Sequence, residues 1–348
     1  MQMKLRYLGK SGLAVSELSL GTMTFGAQGW GCDEKESHRI LAAYLESGGN
    51  MIDCADVYAK GESERIIGSF LPTIARDEVL IATKCNFPFN QSPNGVGSNR
   101  KHIVTSVEAS LKRLGTDYID IYYLHRIDPT VAAEEVMETL DILKRQGKIL
   151  YSACSNLPAW RLMADSMEAK ARQSSTFVCG QYMYNLIDRS CEQEIIPAMI
   201  HQGIGLLCWS PLAGGLLTGK YYGQQSVPQG SRFEYRKNLD VPRFWTQKGK
   251  KIADDLQELA LASGFSATQL AIAWLLDKQY VSSVILGAKS VGQLQEAMKG
   301  SEVALTDDLR NKLEAISKPD KSYLWSFTDE TNQQFRERAQ SFPSTIIV

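Results

Sequence analysis

Leu114-Gly-Thr-Asp-Tyr-Ile-Asp-Ile-Tyr-Tyr-Leu-His125 decides the fold. A glycine closes a helical pattern over 100–114, as expected where the chain leaves a helix in the left-handed conformation. An almost unbroken β-branched and aromatic run follows, and it ends on a histidine. A strand apolar on both faces needs cover on both faces, which is the condition of a parallel sheet wrapped in helices. Working outward, the same unit recurs. Strand-like runs fall at 18–20, 50–53, 79–84, 118–125, 148–155, 177–182, 205–210 and 283–287. Helical patterns lie between them at 36–45, 62–71, 100–114, 132–145, 159–172, 193–201 and 267–277. Eight units, with no Gly-x-Gly-x-x-Gly after the first strand, predict a (β/α)8 TIM barrel rather than an open doubly wound sheet.

Around this core the chain reads as one domain. Residues 3–16 suggest a β-hairpin turning at Lys10-Ser11-Gly12, 17–300 the barrel, and 301–348 a C-terminal helix and tail. The rhythm breaks after the seventh strand, where 211–246 reads as a long loop and 247–263 as an extra helix. Gly214, Gly215 and Gly219, with Lys220 and Arg232, make the loop either an anion-binding cover or a solvated tether. The tail beyond Ser322 carries Trp325, Phe327 and Phe335, and it either folds over the barrel mouth or forms a partly ordered end.

The chain's 348 residues carry a net charge of −1, with 22% charged and 44% apolar residues. Acids and bases are interspersed, which disfavours nucleic acid or a membrane surface as partner. The 7 cysteines include no Cys-x-x-Cys pair. With no signal-like N-terminus, they read as reduced, mostly buried thiols of a cytoplasmic protein. The four histidines, His38, His102, His125 and His201, show no ligand spacing, so no metal is expected.

In a barrel the C-terminal strand ends converge on one rim. Read in order, they give Gly21-Thr22-Met23, Asp53 with Tyr58 just beyond, Lys84, His125, Ser155-Asn156, Gln181, Trp209-Ser210 and Gly287-Ala288-Lys289-Ser290. Each has a bland alternative. Asp53 can cap a loop, Lys84 can snorkel, His125 can be a satisfied structural histidine, and Trp209 can be a core ring. Polar groups at all eight ends together point to a site. A tyrosine titrates near 10. A buried ammonium at Lys84 is expected to lower that value, and Asp53 supplies the counter-charge the ammonium needs. His125 can polarise a bound carbonyl by donating a hydrogen bond. The set suits protonation of an oxyanion formed by hydride attack. No side chain donates hydride, so a nicotinamide cofactor is implied, with Trp209 stacking on its ring and Ser155, Asn156 and Gln181 holding its carboxamide. Asp56 and Lys60 read as loop and surface groups, and Glu62 and Glu64 as first-turn acids favouring the next helix.

These residues resemble the aldo-keto reductase superfamily from about Leu5 to about Lys299. The carriers are Leu8-Gly-Lys-Ser-Gly through Gly21-Thr-Met-Thr-Phe-Gly26, Asp53-Cys-Ala-Asp-Val-Tyr58 with Gly61-Glu-Ser-Glu64, and Thr83-Lys84. Leu114 to His125, Cys154-Ser-Asn156, Gln181-Tyr182 and Trp209-Ser-Pro-Leu-Ala-Gly-Gly-Leu-Leu-Thr-Gly-Lys220 complete them. The resemblance implies an NAD(P)H-dependent carbonyl reductase with a catalytic tetrad of Asp53, Tyr58, Lys84 and His125, Tyr58 being the general acid. It implies Thr22, Met23 and Asp53 near the nicotinamide ribose. Ser210, Leu212, Gly214, Lys220 and Arg232 would lie at the pyrophosphate, and Gly287, Lys289, Gln293 and Glu296 at the adenosine end. Lys289 and Arg232 favour NADPH through its 2′-phosphate. Ala297 stands where the family commonly has an Asn next to the matched Glu. Expected pocket walls are Trp30, Tyr58, Asn86, Phe87, His125 and Arg126, facing an aromatic aldehyde, an α-dicarbonyl or a sugar-like ketone as the small-molecule carbonyl substrate. The branch resembled includes bacterial aryl-alcohol-type reductases and potassium-channel β-subunits. The alternative function is therefore a cofactor-binding regulatory subunit with little turnover; His125, an Asn in those channel subunits, favours catalysis.

Overall fold

The computed structural model describes residues 3–88 and 91–340. Strands β1 (Leu5–Tyr7) and β2 (Ala14–Ser16) pair antiparallel as a hairpin. Eight parallel strands follow: β3 (Leu18–Gly21), β4 (Met51–Asp53), β5 (Leu80–Cys85), β6 (Ile119–Leu124), β7 (Ile149–Ser155), β8 (Cys179–Met183), β9 (Gly205–Trp209) and β10 (Val281–Gly287). They close into a barrel in chain order, β10 bonding to both β3 and β9. The fold is therefore the (β/α)8 barrel with hairpin expected from the sequence.

The continuous apolar run in β6 has its reason here. Ile121 and Tyr123 point into the barrel, and Tyr122 and Leu124 pack against the outer helices. All four are buried. The inner core holds Met51, Ala82, Ile121, Tyr123, Ala153, Cys179, Leu207 and Ile285. Leu8 and Val15 of the hairpin region join the same cluster, so the hairpin stoppers the N-terminal end of the barrel. Arg6 Nη1 and Nη2 donate to the carbonyls of Val281 and Leu276, each at 2.8 Å, and Lys10 N donates to Gly203 O at 2.8 Å. Gly9 has φ +59°, and a Cβ there would lie 2.4 Å from Gly203 O, so this close approach requires glycine.

Several elements differ from expectation. The 211–246 segment is helical in part, with a 3-10 stretch at Ala213–Thr218 and helices at Arg232–Tyr235 and Lys237–Phe244. Pro228, Gly230 and Pro242 interrupt the helical period, which is why the pattern read as loop. A helix at Val291–Met298 was not expected. The 193–201 pattern resolves into a 3-10 turn at Ser190–Glu192 and a helix at Ile195–Gln202. The tail forms a helix at Tyr323–Gln340, with Tyr323, Leu324 and Phe327 exposed; 341–348 lie outside the described residues. All seven cysteines are free, six of them buried and Cys32 half-buried.

Candidate active site

β4 ends on Asp53 and β5 carries Lys84 one residue before its end, so two neighbouring strands set the acid and the amine side by side. Lys84 is fully buried and Asp53 is 2% exposed. The ammonium donates to both Asp53 oxygens, at 2.8 and 2.7 Å, and to the carbonyl of Cys54 at 2.6 Å. Three donors thus meet three acceptors. The pair holds Lys84 above its ordinary value even though burial, the largest influence, pulls the other way. Gln181, from β8, donates to Asp53 Oδ1 at 2.7 Å and fixes the carboxylate from across the barrel.

Tyr58 begins the short 3-10 turn after β4, where Ala59 and Lys60 both adopt positive φ. Two adjacent non-glycine residues in the left-handed region are strained, a feature that concentrates at functional loops. The turn returns the phenol to the rim, with Tyr58 Oη 3.5 Å from Lys84 Nζ. The sequence led us to expect a lowered Tyr58. Instead burial pushes it up to about 12; Lys84 opposes the rise, while Asp53 adds to it. The reason is that burial outweighs the pull of the neighbouring ammonium. The phenol therefore keeps its proton, the state an acid needs.

His125 immediately follows β6. Its ring meets Tyr58 edge-on at 6.0 Å and Phe87 at 5.0 Å. Burial, then the charges of Lys84 and Arg126, hold it well below its usual range, so the imidazole is neutral. Its Nδ1 is buried with no partner among the described residues.

The expected cofactor residues form a second arc of the rim. Trp209 Nε1 donates to Asn156 Oδ1 at 3.1 Å, and Asn156 donates to His125 O at 3.0 Å and to Ser155 Oγ at 2.8 Å. Ser155 Oγ donates to Gln181 O at 2.8 Å. Ser210 adopts φ +52°, and its carbonyl accepts from Asn185. Beyond Leu212, Gly214 and Gly215 have φ +68° and +99°, conformations that strain any other residue. Lys220 lies near Arg232 and is lowered from its ordinary value by burial and then by that charge. Lys220 Nζ lies 4.7 Å from the centre of the Tyr221 ring, and burial raises that phenol while the charges of Arg232 and Lys289 oppose the rise. Three cations thus gather where an anion is expected. Gly287 and Lys289 are exposed at the end of β10, and Gln293 Oε1 accepts from Lys289 N at 3.1 Å. Glu296 is turned toward the helix Ala267–Leu276, accepting from Ser266 Oγ at 2.6 Å. Thr22 is buried; its hydroxyl donates to Asp53 O and accepts from Ser63. Met23 is half-buried beside it.

Of the expected pocket walls, Phe87, Asn86 and Arg126 cluster beside His125. Trp30 contacts the segment after β9. The guanidiniums of Arg232 and Arg236 lie over its ring at 5.5 and 5.3 Å, so it joins the loop after β3 to the loop after β9.

The sequence reading missed some residues. Asp240, 1% exposed, accepts from Arg232 Nε at 2.8 Å and Arg236 Nε at 3.0 Å. The signal was there: 232, 236 and 240 repeat every four residues, one face of a helix. Arg243 reaches over the Trp209 ring at 5.9 Å. Asp56, expected on the surface, is 1% exposed, and both its oxygens lack partners among the described residues. Burial, with Glu64 adding and Arg113 opposing, pushes it up to about 8. Glu64 is likewise buried, accepting from Arg113 Nε at 2.6 Å and Thr83 Oγ1 at 2.7 Å. Among the described residues no group of acids, histidines or cysteines could hold a metal.

Comparison with known proteins places the chain in a family. The model of the aldo/keto reductase family matches residues 17–318. A probable voltage-gated potassium channel subunit beta of rice (Oryza sativa subsp. japonica) is 38% identical, covering 91% of this chain and 98% of its own. The uncharacterized oxidoreductase YrpG of Bacillus subtilis is 34% identical, over 90% of this chain and 96% of its own. Versiconal hemiacetal acetate reductase of Aspergillus parasiticus is 35% identical, over 86% of this chain and 93% of its own.

Proposed function

The chain belongs to the aldo/keto reductase family and is an oxidoreductase, and on that premise we propose that it reduces aldehydes or ketones to alcohols with NADPH, Tyr58 acting as general acid. The observation that carries this reading is the meeting of Asp53, Lys84, Tyr58 and His125 on one rim. When bound, the nicotinamide supplies the hydride. The residues present fit such a group. Trp209 and Asn156 stand ready for a flat ring and its amide. The positive-φ turn at Gly214 and Gly215, with Lys220, Arg232 and Lys289, suits phosphates. The same cations favour a 2′-phosphate and hence NADPH over NADH.

Tyr58, kept protonated by burial, delivers its proton to the carbonyl oxygen as negative charge develops there. Lys84 stabilises the phenolate left behind, and Asp53, itself fixed by Gln181, holds the ammonium in place. Neutral His125 orients the carbonyl as a hydrogen-bond donor. A cytoplasmic location is proposed from the seven free thiols; among the described residues no single helix is long and apolar enough to cross a membrane.

Oxidation of NADPH with 4-nitrobenzaldehyde or methylglyoxal, followed by absorbance, tests the reading. The wild type turns over carbonyl compounds. Tyr58→Phe retains cofactor binding and loses about 10²- to 10⁴-fold in kcat. Full activity of that variant would sink the proposal. A second reading, a cofactor-binding regulatory subunit with little turnover, draws support from the relatives named as potassium channel subunits. NADPH binding without reduction of any aldehyde, ketone or quinone would favour it.

A further inference from the structure

Arg126 follows His125 on the rim and is exposed. Its guanidinium is nonetheless held. Nε donates to Asn86 Oδ1 at 2.8 Å, and Asn86 Nδ2 donates to Ser98 Oγ at 3.1 Å and to Arg126 O at 3.3 Å. Asn86 is 1% exposed and adopts φ +141°, a conformation rare for a side-chain-bearing residue. The guanidinium plane also lies over the Phe87 ring, its Cζ 4.5 Å from the centroid. Phe87 in turn meets the edge of the His125 imidazole at 5.0 Å. Among the described residues no carboxylate pairs with Arg126, whereas Arg113, Arg161, Arg189 and Arg310 all have acidic partners. The Nε bond and the stack on Phe87 thus restrain the guanidinium of an exposed residue, and among the described residues its two terminal nitrogens have no hydrogen-bond partner.

A strained, buried asparagine and an aromatic ring that together aim an unpaired guanidinium are not needed for a solubilising surface charge. A fixed planar fork matches a carboxylate bidentately. The contacts from imidazole to Phe87 to guanidinium give the separation: the anion sits about one aromatic ring or a short chain from the reacting carbonyl. We propose that Arg126 is the specificity-determining residue of this site, and that the preferred substrates are aldehydes or ketones bearing a carboxylate at that distance. This rests on the reductase reading above, in which His125 orients the carbonyl.

The test compares 4-carboxybenzaldehyde with its neutral methyl ester, methyl 4-formylbenzoate, using NADPH and the full-length protein. The wild type favours the carboxylate by roughly tenfold to a hundredfold in kcat/KM, mostly through KM. Arg126→Met brings the ratio to about one, Arg126→Lys keeps part of it, and raised salt reduces it in the wild type. Asn86→Ala, which frees Nε but leaves the charge, lowers the ratio less than Arg126→Met does. Equal use of the two aldehydes by the wild type, or a preference that survives Arg126→Met, overturns the proposal. If neither aldehyde is reduced, the wider set of aldehydes, ketones and quinones decides about the reductase reading, and calorimetry with unreactive 4-carbamoylbenzoate against neutral terephthalamide decides about Arg126. Tighter binding of the anion that Arg126→Met abolishes upholds the anion site, and equal binding removes it.

Discussion

At the scale of single residues, this barrel distinguishes buried charges that have partners from one that lacks them. Lys84 has three acceptors, and Glu64 has Arg113 and Thr83. Asp56, beside both, has no partner for its carboxylate oxygens among the described residues, and its carboxyl is pushed up to about 8. The sign follows directly. Between the unfolded value near 4 and about 8, the native state holds a proton that the unfolded chain has lost, so stability falls as pH rises. The slope from this one group is about 1.4 kcal/mol per pH unit. Asp56→Asn removes it. The variant's stability relative to wild type, from urea unfolding at pH 5 and pH 8, should therefore shift in its favour at the higher pH. A gap independent of pH would mean that Asp56 is ionised in the fold. At the cofactor's far end, Lys289→Ala should weaken NADPH roughly tenfold more than NADH, as one lost charge-assisted contact implies. Equal weakening in fluorescence titrations would remove Lys289 from the 2′-phosphate. The grouping of Asp53, Lys84, His125 and Tyr58 was legible in the sequence because the first three stand at or beside strand ends, which are easy to find, and Tyr58 lies a few residues beyond one. Asp56 and Glu64 were not. A polar residue in a loop or first helical turn looks solvated until the packing of the neighbouring helix is known.

At the scale of elements, the segment after β9 matters most. In sequence 211–246 read as a long loop with glycines and cations suited to an anion, and its helices went unread because they are short and prolines interrupt the period. Folded, its helices carry Arg232, Arg236 and Asp240 on one side, and Asp240 ties both arginines beneath the Trp30 ring. One carboxylate thus fixes the bridge between two loops. Asp240→Ala should cost about 3 kcal/mol, at the low end for a broken buried pair because the arginines keep some solvent. It should also speed cofactor release roughly tenfold, read by stopped-flow fluorescence. Unchanged release with lowered stability would confine Asp240 to a structural role. The eight strands and most long helices, by contrast, were readable, since burial on both faces leaves a continuous apolar run that no loop imitates.

For the whole molecule, the barrel is a filled cylinder stoppered at one end. Leu8 and Val15 of the hairpin region complete the inner cluster from below. Leu8→Ala should therefore destabilise the whole domain by about 2–5 kcal/mol, as for a cavity that cannot collapse. It should act in a single unfolding transition, not as local fraying of the hairpin. A calorimetric scan with an early, separate hairpin transition would show that the stopper is an appendage.

The stoppered floor also constrains the supply of protons. Beneath Lys84 and Asp53 the interior holds apolar side chains, the Tyr123 hydroxyl and the Cys179 thiol, which face each other at 3.2 Å, and the paired hydroxyls of Ser19 and Ser283. Tyr58 itself is half-buried at the rim, so on the proposed chemistry the phenol is restored from that open side. The mouth is then an exit for alcohol and an inlet for protons at once. An inhibitor lodged there would block two traffics, and catalysis in heavy water should slow wherever the Tyr58 proton moves, at its delivery to the carbonyl oxygen as well as at its recharging.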